Sequence, residues 1–180
     1  MRYLGNKESI TDEIINLLNE KNLLDNNLTF FDAFCGTGSV ADSVKDRFDE
    51  IIINDNLNWA TLYTKGRLVA KSCTFDKLPF DPFEFLNSTE DIKMNFFYNN
   101  YSLANSERMY FTEFNSGRID FFREKIQEWF YNKQIDELEY SYLLACLIES
   151  ISKVSNTAGV YGAFLKHWDS RALKPIVFVK

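Results

Sequence analysis

The sequence is poor in the residues that build metal sites and disulfide frameworks. Among 180 residues it has one histidine, His167, and three cysteines, Cys35, Cys73 and Cys146. The cysteines show no paired metal-ligand spacing and any pairing leaves one over, so we expect reduced thiols and no metal site. No charged-then-apolar leader and no apolar run of membrane-spanning length occurs, which predicts a cytoplasmic protein without a membrane partner.

Basic residues are also in the minority, and they are unevenly distributed. The net charge of −6 argues against a protein that coats nucleic acid, because phosphate binding draws on clustered Lys and Arg. Residues 151–180, however, carry five basic residues against Asp169 alone, a local charge of +4, whereas the preceding 150 residues carry −10. We therefore expect any polyanion at the C-terminal end, where Lys166 and Arg171 are candidate contacts.

The hydrophobic pattern predicts an α/β protein. With 46% hydrophobic residues, the chain is long enough for one well-buried core. Helical periodicity and short apolar runs predict, in order, a helix over 8–22, a strand over 28–34, a helix over 40–48 and a strand over 50–56. The last three elements form the minimal crossover unit that generates a parallel sheet.

The remainder of the chain is predicted to be mostly helical. Residues 57–72 have a helical pattern, residues 77–91 contain two prolines and read as a connection, and residues 117–131 and 137–154 carry apolar stripes at helical spacing. Between them, residues 95–117 are dense in amides, hydroxyls and aromatic rings but contain few aliphatic residues. We expect this segment to contribute little to the core.

A glycine turn follows the first predicted strand. The stretch FFDAFCGTGSVA places Gly36, Gly38 and Ala41 in a Gly-x-Gly-x-x-Ala pattern, which lets the backbone approach a nucleotide-like ligand closely. Asp55 lies 17 positions beyond Gly38, at the tip of the next strand, where a carboxylate can bind ribose hydroxyls. Both NAD and S-adenosylmethionine fit this arrangement.

Two features of the residues around the turn favour S-adenosylmethionine. Asp32, at the end of the first strand, would repel a pyrophosphate but attract an ammonium or a sulfonium. Nearly 30 residues precede that strand, whereas a dinucleotide-binding chain usually begins with it. They open with RYLGNK, in which Tyr3 and Lys7 could cover an adenine or methionine pocket. The alternative reading of RYLGNK is a helix cap after an irregular start.

The order of these motifs resembles a known family. RYLGNK, FFDAFCGTGSVA and IIINDN, followed by NNYSLANSERMYFTEFNSGRIDFFREKI and NTAGVYGAFLKHWDSRALKP, resemble the Dam-like, alpha-group adenine DNA methyltransferases of type II restriction-modification systems. The resemblance covers nearly the whole chain. It implies a Rossmann-like methyltransferase fold with a partial sheet and a helical DNA-recognition insertion. Residues 1–75 would then bind the cofactor, and residues 76–180 would form the connection and the recognition region.

The resemblance also implies roles for individual residues. The cofactor S-adenosylmethionine would contact Tyr3, Lys7, Asp32, Phe34, Gly36, Gly38, Ser39 and Asp55. Double-stranded DNA would contact Asn100, Tyr101, Ser102, Asn105, Arg108, Lys166 and Arg171, whose side chains suit phosphates or base edges. Without the resemblance, a polar surface loop is the favoured interpretation of the stretch from Asn100 to Arg108.

The family's catalytic Asp-Pro-Pro-Tyr turn does not occur among these 180 residues. The nearest string, Asp81-Pro82-Phe83, lacks the second proline and follows no apolar strand, so it is read as a turn. We therefore expect either the N-terminal portion of a longer adenine methyltransferase or a half that a C-terminal segment or subunit complements. An inactive cofactor- or DNA-binding partner subunit and an NAD-dependent oxidoreductase are the alternative functions.

Overall fold

The structure is a computed structural model that describes residues 5–25, 27–159 and 161–180. The α-helices and β-strands are α1 (Thr11–Glu20), β1 (Thr29–Asp32), α2 (Ser39–Val44), β2 (Glu50–Ile53), α3 (Asn58–Val69), α4 (Pro82–Asn87), α5 (Phe96–Tyr101), α6 (Glu113–Tyr131) and α7 (Glu137–Val154). Short 3-10 turns adjoin α1, α2 and α3. In the part of the chain that the structure describes, no helix is both long and apolar enough to span a membrane.

The predicted crossover unit is confirmed. Strands β1 and β2 pair in parallel, with a register that runs from Thr29 opposite Glu50 to Asp32 opposite Ile53. Side chains on one face are half-buried, while Phe31 and Ile52, which are register partners on the other face, are 58% and 44% exposed. The chain is thus an α/β protein with a small parallel sheet, one face of which carries exposed apolar side chains.

Helices α6 and α7 form the centre of the hydrophobic core, as their apolar stripes predict. Ile119, Phe122, Ile126, Leu143 and Leu147 are all at most 3% exposed. A capping box fixes the start of α7. The carboxylate of Asp136 accepts hydrogen bonds from two backbone amides of the first turn, and the carboxylate of Glu139 accepts one from the backbone amide of Asp136.

Helix α3 packs closely against α7, and Gly66 makes this approach possible. A Cβ atom built on Gly66 would lie 2.5 Å from the carbonyl oxygen of Ser141 and 2.6 Å from the Cβ of Ala145. Because α3 follows β2 directly, the contact ties the sheet and its glycine turn to the helical core.

The expectation that residues 95–117 contribute little to the core is wrong. Phe111 is 1% exposed, and Phe97 and Tyr101 pack against the same cluster. The ring centroids of Phe97 and Tyr101 are 5.4 Å apart, and those of Phe97 and Phe111 are 6.1 Å apart. Aromatic rings at such spacings supply the apolar contact that aliphatic side chains supply elsewhere.

The proline-containing connection includes the short helix α4. Asp81 accepts hydrogen bonds from the backbone amides of Phe83 (2.7 Å) and Glu84 (3.0 Å), and Pro82 occupies the first helical position. Asp81-Pro82-Phe83 therefore starts a helix, since an acidic residue followed by proline is a favourable helix N-terminus. The sequence predicts a turn at Asp81-Pro82-Phe83, and the structure shows the N-terminus of α4 there instead.

The side-chain amides of two asparagines, buried Asn115 and exposed Asn87, hold residues 174–178. Asn115 on α6 donates to the carbonyls of Ala172 and Lys174 and accepts from the amide of Ile176 at 2.8 Å. Asn87 accepts from the amide of Phe178 and donates to its carbonyl, both at 2.9 Å. Residues 174–178 thus bond to side-chain amides as they would to a neighbouring strand, while Ile176 and Phe178 are buried in the core.

Candidate cofactor site and DNA-facing surface

The glycine turn connects β1 to α2 and has a left-handed backbone at two positions. Gly36 has a φ of +52° and Gly38 a φ of +72°, which side-chain-bearing residues rarely adopt. A Cβ atom on Gly36 would meet nothing within 4 Å, whereas one on Gly38 would lie 2.6 Å from the side chain of Thr64. Gly36 therefore faces open space, and Gly38 faces helix α3.

Asp55 lies directly beside this turn, as its position after β2 predicts. Its carboxylate accepts hydrogen bonds from the amide of Gly36 at 2.9 Å and from the amide of Leu57 at 3.0 Å. These amides of Leu57 and Gly36 lower the pKa of Asp55 below its ordinary value, so the carboxylate is ionised at neutral pH. Each carboxylate oxygen of Asp55 keeps a further lone pair that can accept a hydrogen bond from a hydroxyl group.

Asp32 ends β1 and directly precedes the turn. Partial burial raises the pKa of Asp32, and the charge of Asp55 raises it further, while the amides of Phe34 and Ala41 act in the opposite direction. The two carboxylates therefore repel each other across the turn, and a ligand with positive charge would relieve this repulsion. Phe34, between them and the glycines, is 86% exposed and offers an apolar ring to a ligand.

The N-terminal motif contacts the turn through a residue that the sequence analysis did not single out. Asn6 accepts a hydrogen bond of 2.5 Å from the buried hydroxyl of Ser39 and one of 3.0 Å from the amide of Glu8. Lys7 is exposed and its ammonium donates to the carbonyl of Gly5 at 3.2 Å. Tyr3 lies outside the described residues. Asn6 is part of RYLGNK, so the motif itself was the signal that could have found it.

Helix α3 supplies two further contacts that sequence reasoning missed. Thr64 donates to the carbonyl of Gly36, and Arg67 donates to the carbonyl of Thr37. Neither residue belongs to a motif. The sequence signal that could have found them is weak: Thr64 and Arg67 lie three positions apart and therefore on one face of the helix that follows Asp55.

The predicted DNA-contacting residues fall into two segments that the structure brings together. Asn156, which is fully buried, donates through its side-chain amide to the carbonyls of Met109, Leu165 and His167, at 2.9, 3.1 and 3.1 Å. The ring of Tyr110 stacks on that of Tyr161, 6.4 Å away. The stretch from Asn100 to Tyr110 and the loop that carries Lys166 are therefore neighbours.

The predicted DNA-contacting residues differ in accessibility. Asn100, Asn105, Arg108 and Lys166 are exposed, and the Arg108 guanidinium lies 5.9 Å from the centre of the half-buried Tyr101 ring. The hydroxyl of Ser102 is buried and donates to the carbonyl of Tyr98 at 2.6 Å.

Arg171 is engaged within the fold. Its guanidinium donates to the carbonyls of Ser155 and Thr157, at 2.8 and 3.2 Å. Ser102 and Arg171 thus stabilise the backbone of the two segments through hydrogen bonds within the fold. Composition alone did not indicate this structural role.

Comparison with protein families decides which kind of protein has this glycine turn. The family model described as D12 class N6 adenine-specific DNA methyltransferase matches residues 3–180. The chain belongs to this family. The membership confirms the resemblance in the sequence.

The chain is also similar to curated methylases and methyltransferases. It is 40% identical to modification methylase LlaI of Lactococcus lactis subsp. lactis over 97% of its residues and 28% of the relative's. It is 39% identical to type II methyltransferase M.FokI of Planomicrobium okeanokoites, over 96% of its residues and 28% of the relative's. It is 36% identical to type II methyltransferase M.NlaIII of Neisseria lactamica, over 98% of its residues and 52% of the relative's.

The chain therefore spans between about a quarter and about half of the length of these relatives. No solved structure matches it.

Proposed function

We propose that this chain is the cofactor-binding and DNA-facing part of an enzyme that transfers a methyl group from S-adenosylmethionine to the exocyclic amine of adenine in duplex DNA. The observation that carries the proposal is the pair of carboxylates, Asp32 and Asp55, on either side of the open glycine turn in a chain of the D12 family. A DNA substrate implies action in the cytoplasm.

The residues at the turn fit S-adenosylmethionine better than a dinucleotide. In the proposed complex, Asp55 accepts the ribose hydroxyls and Asp32 faces the positively charged methionine end, while Phe34 packs against an apolar face of the ligand. A pyrophosphate at the turn would instead meet the negative charge of Asp32, which disfavours the NAD alternative. The bound cofactor supplies a methyl group on a sulfonium, and the chain's task is to orient that methyl group and to exclude water from it.

We propose that DNA lies across the surface formed by Asn100, Asn105, Arg108 and Lys166. All four are exposed polar or basic residues, and the backbone beneath them is held by Asn156. Arg108 and Lys166 suit phosphates, and the amides suit base edges or sugars. Ser102 and Arg171 are not included in this surface, because Ser102 is buried and Arg171 is half-buried, with its guanidinium bonded to two backbone carbonyls.

The catalytic turn is proposed to come from a further segment or subunit. Methylation of the adenine amine requires the base to leave the stack and to be held by the Asp-Pro-Pro-Tyr turn that the family resemblance implies. Exposed Phe31 and Ile52 support a covering partner, since both faces of a parallel sheet are normally buried. We propose that the segment carrying the turn packs on this face.

Cofactor binding is testable by calorimetry. We expect the wild-type chain to bind S-adenosylhomocysteine and not NAD, and we expect Asp55→Ala to weaken this binding by about 10-fold to 100-fold, because a charge-assisted contact to the ribose is lost. The matched control is Asp49→Ala, which removes one negative charge at an exposed position before β2 and should leave the affinity unchanged. Binding of NAD without binding of S-adenosylhomocysteine would favour the oxidoreductase.

Methyl transfer by the chain alone is a separate prediction. We expect incubation with labelled S-adenosylmethionine and unmethylated duplex DNA to give no label in DNA above background, because these residues contain no Asp-Pro-Pro-Tyr. The positive control is an intact type II methyltransferase such as M.FokI, which should give label in the same assay. Robust turnover by the chain alone would contradict the proposal that another segment provides catalysis.

A further inference from the structure

Two residues of α3 contact the glycine turn from the side opposite the open space at Gly36. Thr64 is fully buried, and its hydroxyl donates to the carbonyl of Gly36 at 3.2 Å. The same side chain is the one that a Cβ atom on Gly38 would strike. Thr64 therefore packs into the space left by the missing side chain of Gly38 and holds the preceding peptide group by a hydrogen bond.

Arg67, one helical turn later, joins three segments through one guanidinium. It donates to the carbonyl of Thr37 at 3.0 Å and to the carboxylate of Asp42 on α2 at 2.9 Å. It also lies 3.9 Å from the carboxylate of Glu8, in the N-terminal segment. Since the guanidinium is a rigid fork, these contacts fix the turn relative to α2 and to the N-terminal motif.

These contacts determine where the peptide groups of the turn point. In a planar trans peptide the carbonyl of one residue and the amide of the next point in opposite directions. The carbonyl of Gly36 is held toward Thr64, so the amide of Thr37 is directed away from α3. The carbonyl of Thr37 is likewise held by Arg67, and the amide of Gly38 bonds to the carbonyl of Cys35 at 2.7 Å.

We propose that Thr64 and Arg67 are positioning residues that preset the glycine turn for the cofactor. The proposal rests on the proposed function of the turn. Two left-handed glycines leave the turn many other conformations, and holding it in one of them removes an ordering cost that ligand binding would otherwise bear. The pair acts through the backbone of the turn and needs no contact with the cofactor itself.

The test compares variants that keep or remove each contact, in the full chain. Thr64→Val keeps the shape but loses the donor, and Thr64→Ser keeps the donor. Arg67→Gln removes the positive charge and the paired N–H donors of the guanidinium. Lys65→Gln is the matched control, because Lys65 lies on the same helix and its ion pair, 3.1 Å to Glu137, is remote from the turn.

Calorimetry with S-adenosylhomocysteine, below the unfolding temperature of every variant, is the first measurement. We expect about tenfold weaker binding for Thr64→Val and for Arg67→Gln, in line with the loss of one buried or charge-assisted hydrogen bond. Thr64→Ser should bind nearly as the wild type, and Lys65→Gln should be unchanged. Unchanged affinity in both Thr64→Val and Arg67→Gln would overturn the proposal.

Amide hydrogen exchange of residues 35–39 is the second measurement, and it does not depend on a ligand. Faster exchange in Thr64→Val and Arg67→Gln, but not in Lys65→Gln, supports the positioning role. Equal exchange in all variants overturns it. If the wild-type chain binds no S-adenosylhomocysteine, the proposed function fails, and the exchange data still decide whether α3 holds the turn.

Discussion

Replacing Gly66 with alanine is expected to destabilise the protein strongly, although alanine is the better helix former. Alanine in a helix interior gains about 1 kcal/mol over glycine. Against this gain stands a Cβ atom placed 2.5 Å from the backbone carbonyl of Ser141 and 2.6 Å from Ala145. A backbone atom cannot rotate away, so α3 and α7 must separate. With an overpacking cost near the upper end of about 1–3 kcal/mol, we expect a net loss of about 1–2 kcal/mol and an unfolding temperature lower by roughly 2–8 °C.

Thermal unfolding followed by circular dichroism measures this effect, and Gly117→Ala serves as its control. Gly117 is also helical, but its Cβ would meet the side chain of Ile92, at 2.7 Å, in a segment that is neither helix nor strand. The atom it would meet is the Cβ of Ile92, so relief requires this irregular segment to shift with its backbone. Such a segment shifts more easily than two packed helices separate, so we expect a smaller fall in unfolding temperature than for Gly66→Ala. An unfolding temperature for Gly66→Ala at or above that of the wild type would show that the α3–α7 contact tolerates a wider spacing.

Replacing Gly38 with alanine is expected to abolish measurable binding of S-adenosylhomocysteine. The left-handed backbone at φ +72° costs a residue with a Cβ atom about 1–2 kcal/mol. The clash with Thr64 at 2.6 Å adds a further cost of about 1–3 kcal/mol, and it forces either the turn or Thr64 out of position. Since both Asp55 and Thr64 bond to Gly36, the displacement reaches the carboxylate that we assign to the ribose.

Gly36→Ala separates the conformational cost of a left-handed backbone from the cost of the clash with Thr64. Gly36 has a similar backbone, at φ +52°, but its Cβ would meet nothing within 4 Å, so only the conformational cost applies to folding. We expect the unfolding temperature to fall less for Gly36→Ala than for Gly38→Ala. In the double variant Gly38→Ala/Thr64→Ala the contacts with Cγ2 and Oγ1 of Thr64, at 2.6 and 2.7 Å, are removed and only that with its Cβ, at 3.0 Å, remains, so part of the lost stability should return. Equal destabilisation by the two single glycine variants would mean that Thr64 does not constrain the turn.

Local patterns in the sequence were sufficient to predict the crossover unit and the position of Asp55. The two strands are short apolar runs ended by polar residues, and the carboxyl ends of parallel strands meet at one edge, so Asp32, the glycine turn and Asp55 had to be neighbours. The amphipathic stripes of α6 and α7 were equally clear. Each of these predictions depends on residues that are close in sequence or on a rule of chain topology.

The contacts that hold the turn depend on tertiary packing and were not predictable in this way. Thr64 and Arg67 lie 28 and 30 positions from the carbonyls that they contact, and they reach them only because α3 packs on α7. Asparagine is usually a surface residue, so the buried positions of Asn115 and Asn156 gave no sequence signal. The core role of residues 95–117 was missed because aromatic rings in a polar context were taken for surface.

The amides of Asn87 and Asn115 have a consequence for self-association. A foreign strand can add to an extended segment only where a row of backbone donors and acceptors is unbonded. Along residues 174–178, the groups on one edge, at Lys174, Ile176 and Phe178, are already bonded to side chains of the same molecule. An apolar stretch such as PIVFVK would otherwise be prone to aggregation, and these two asparagines close that edge to strand exchange between copies.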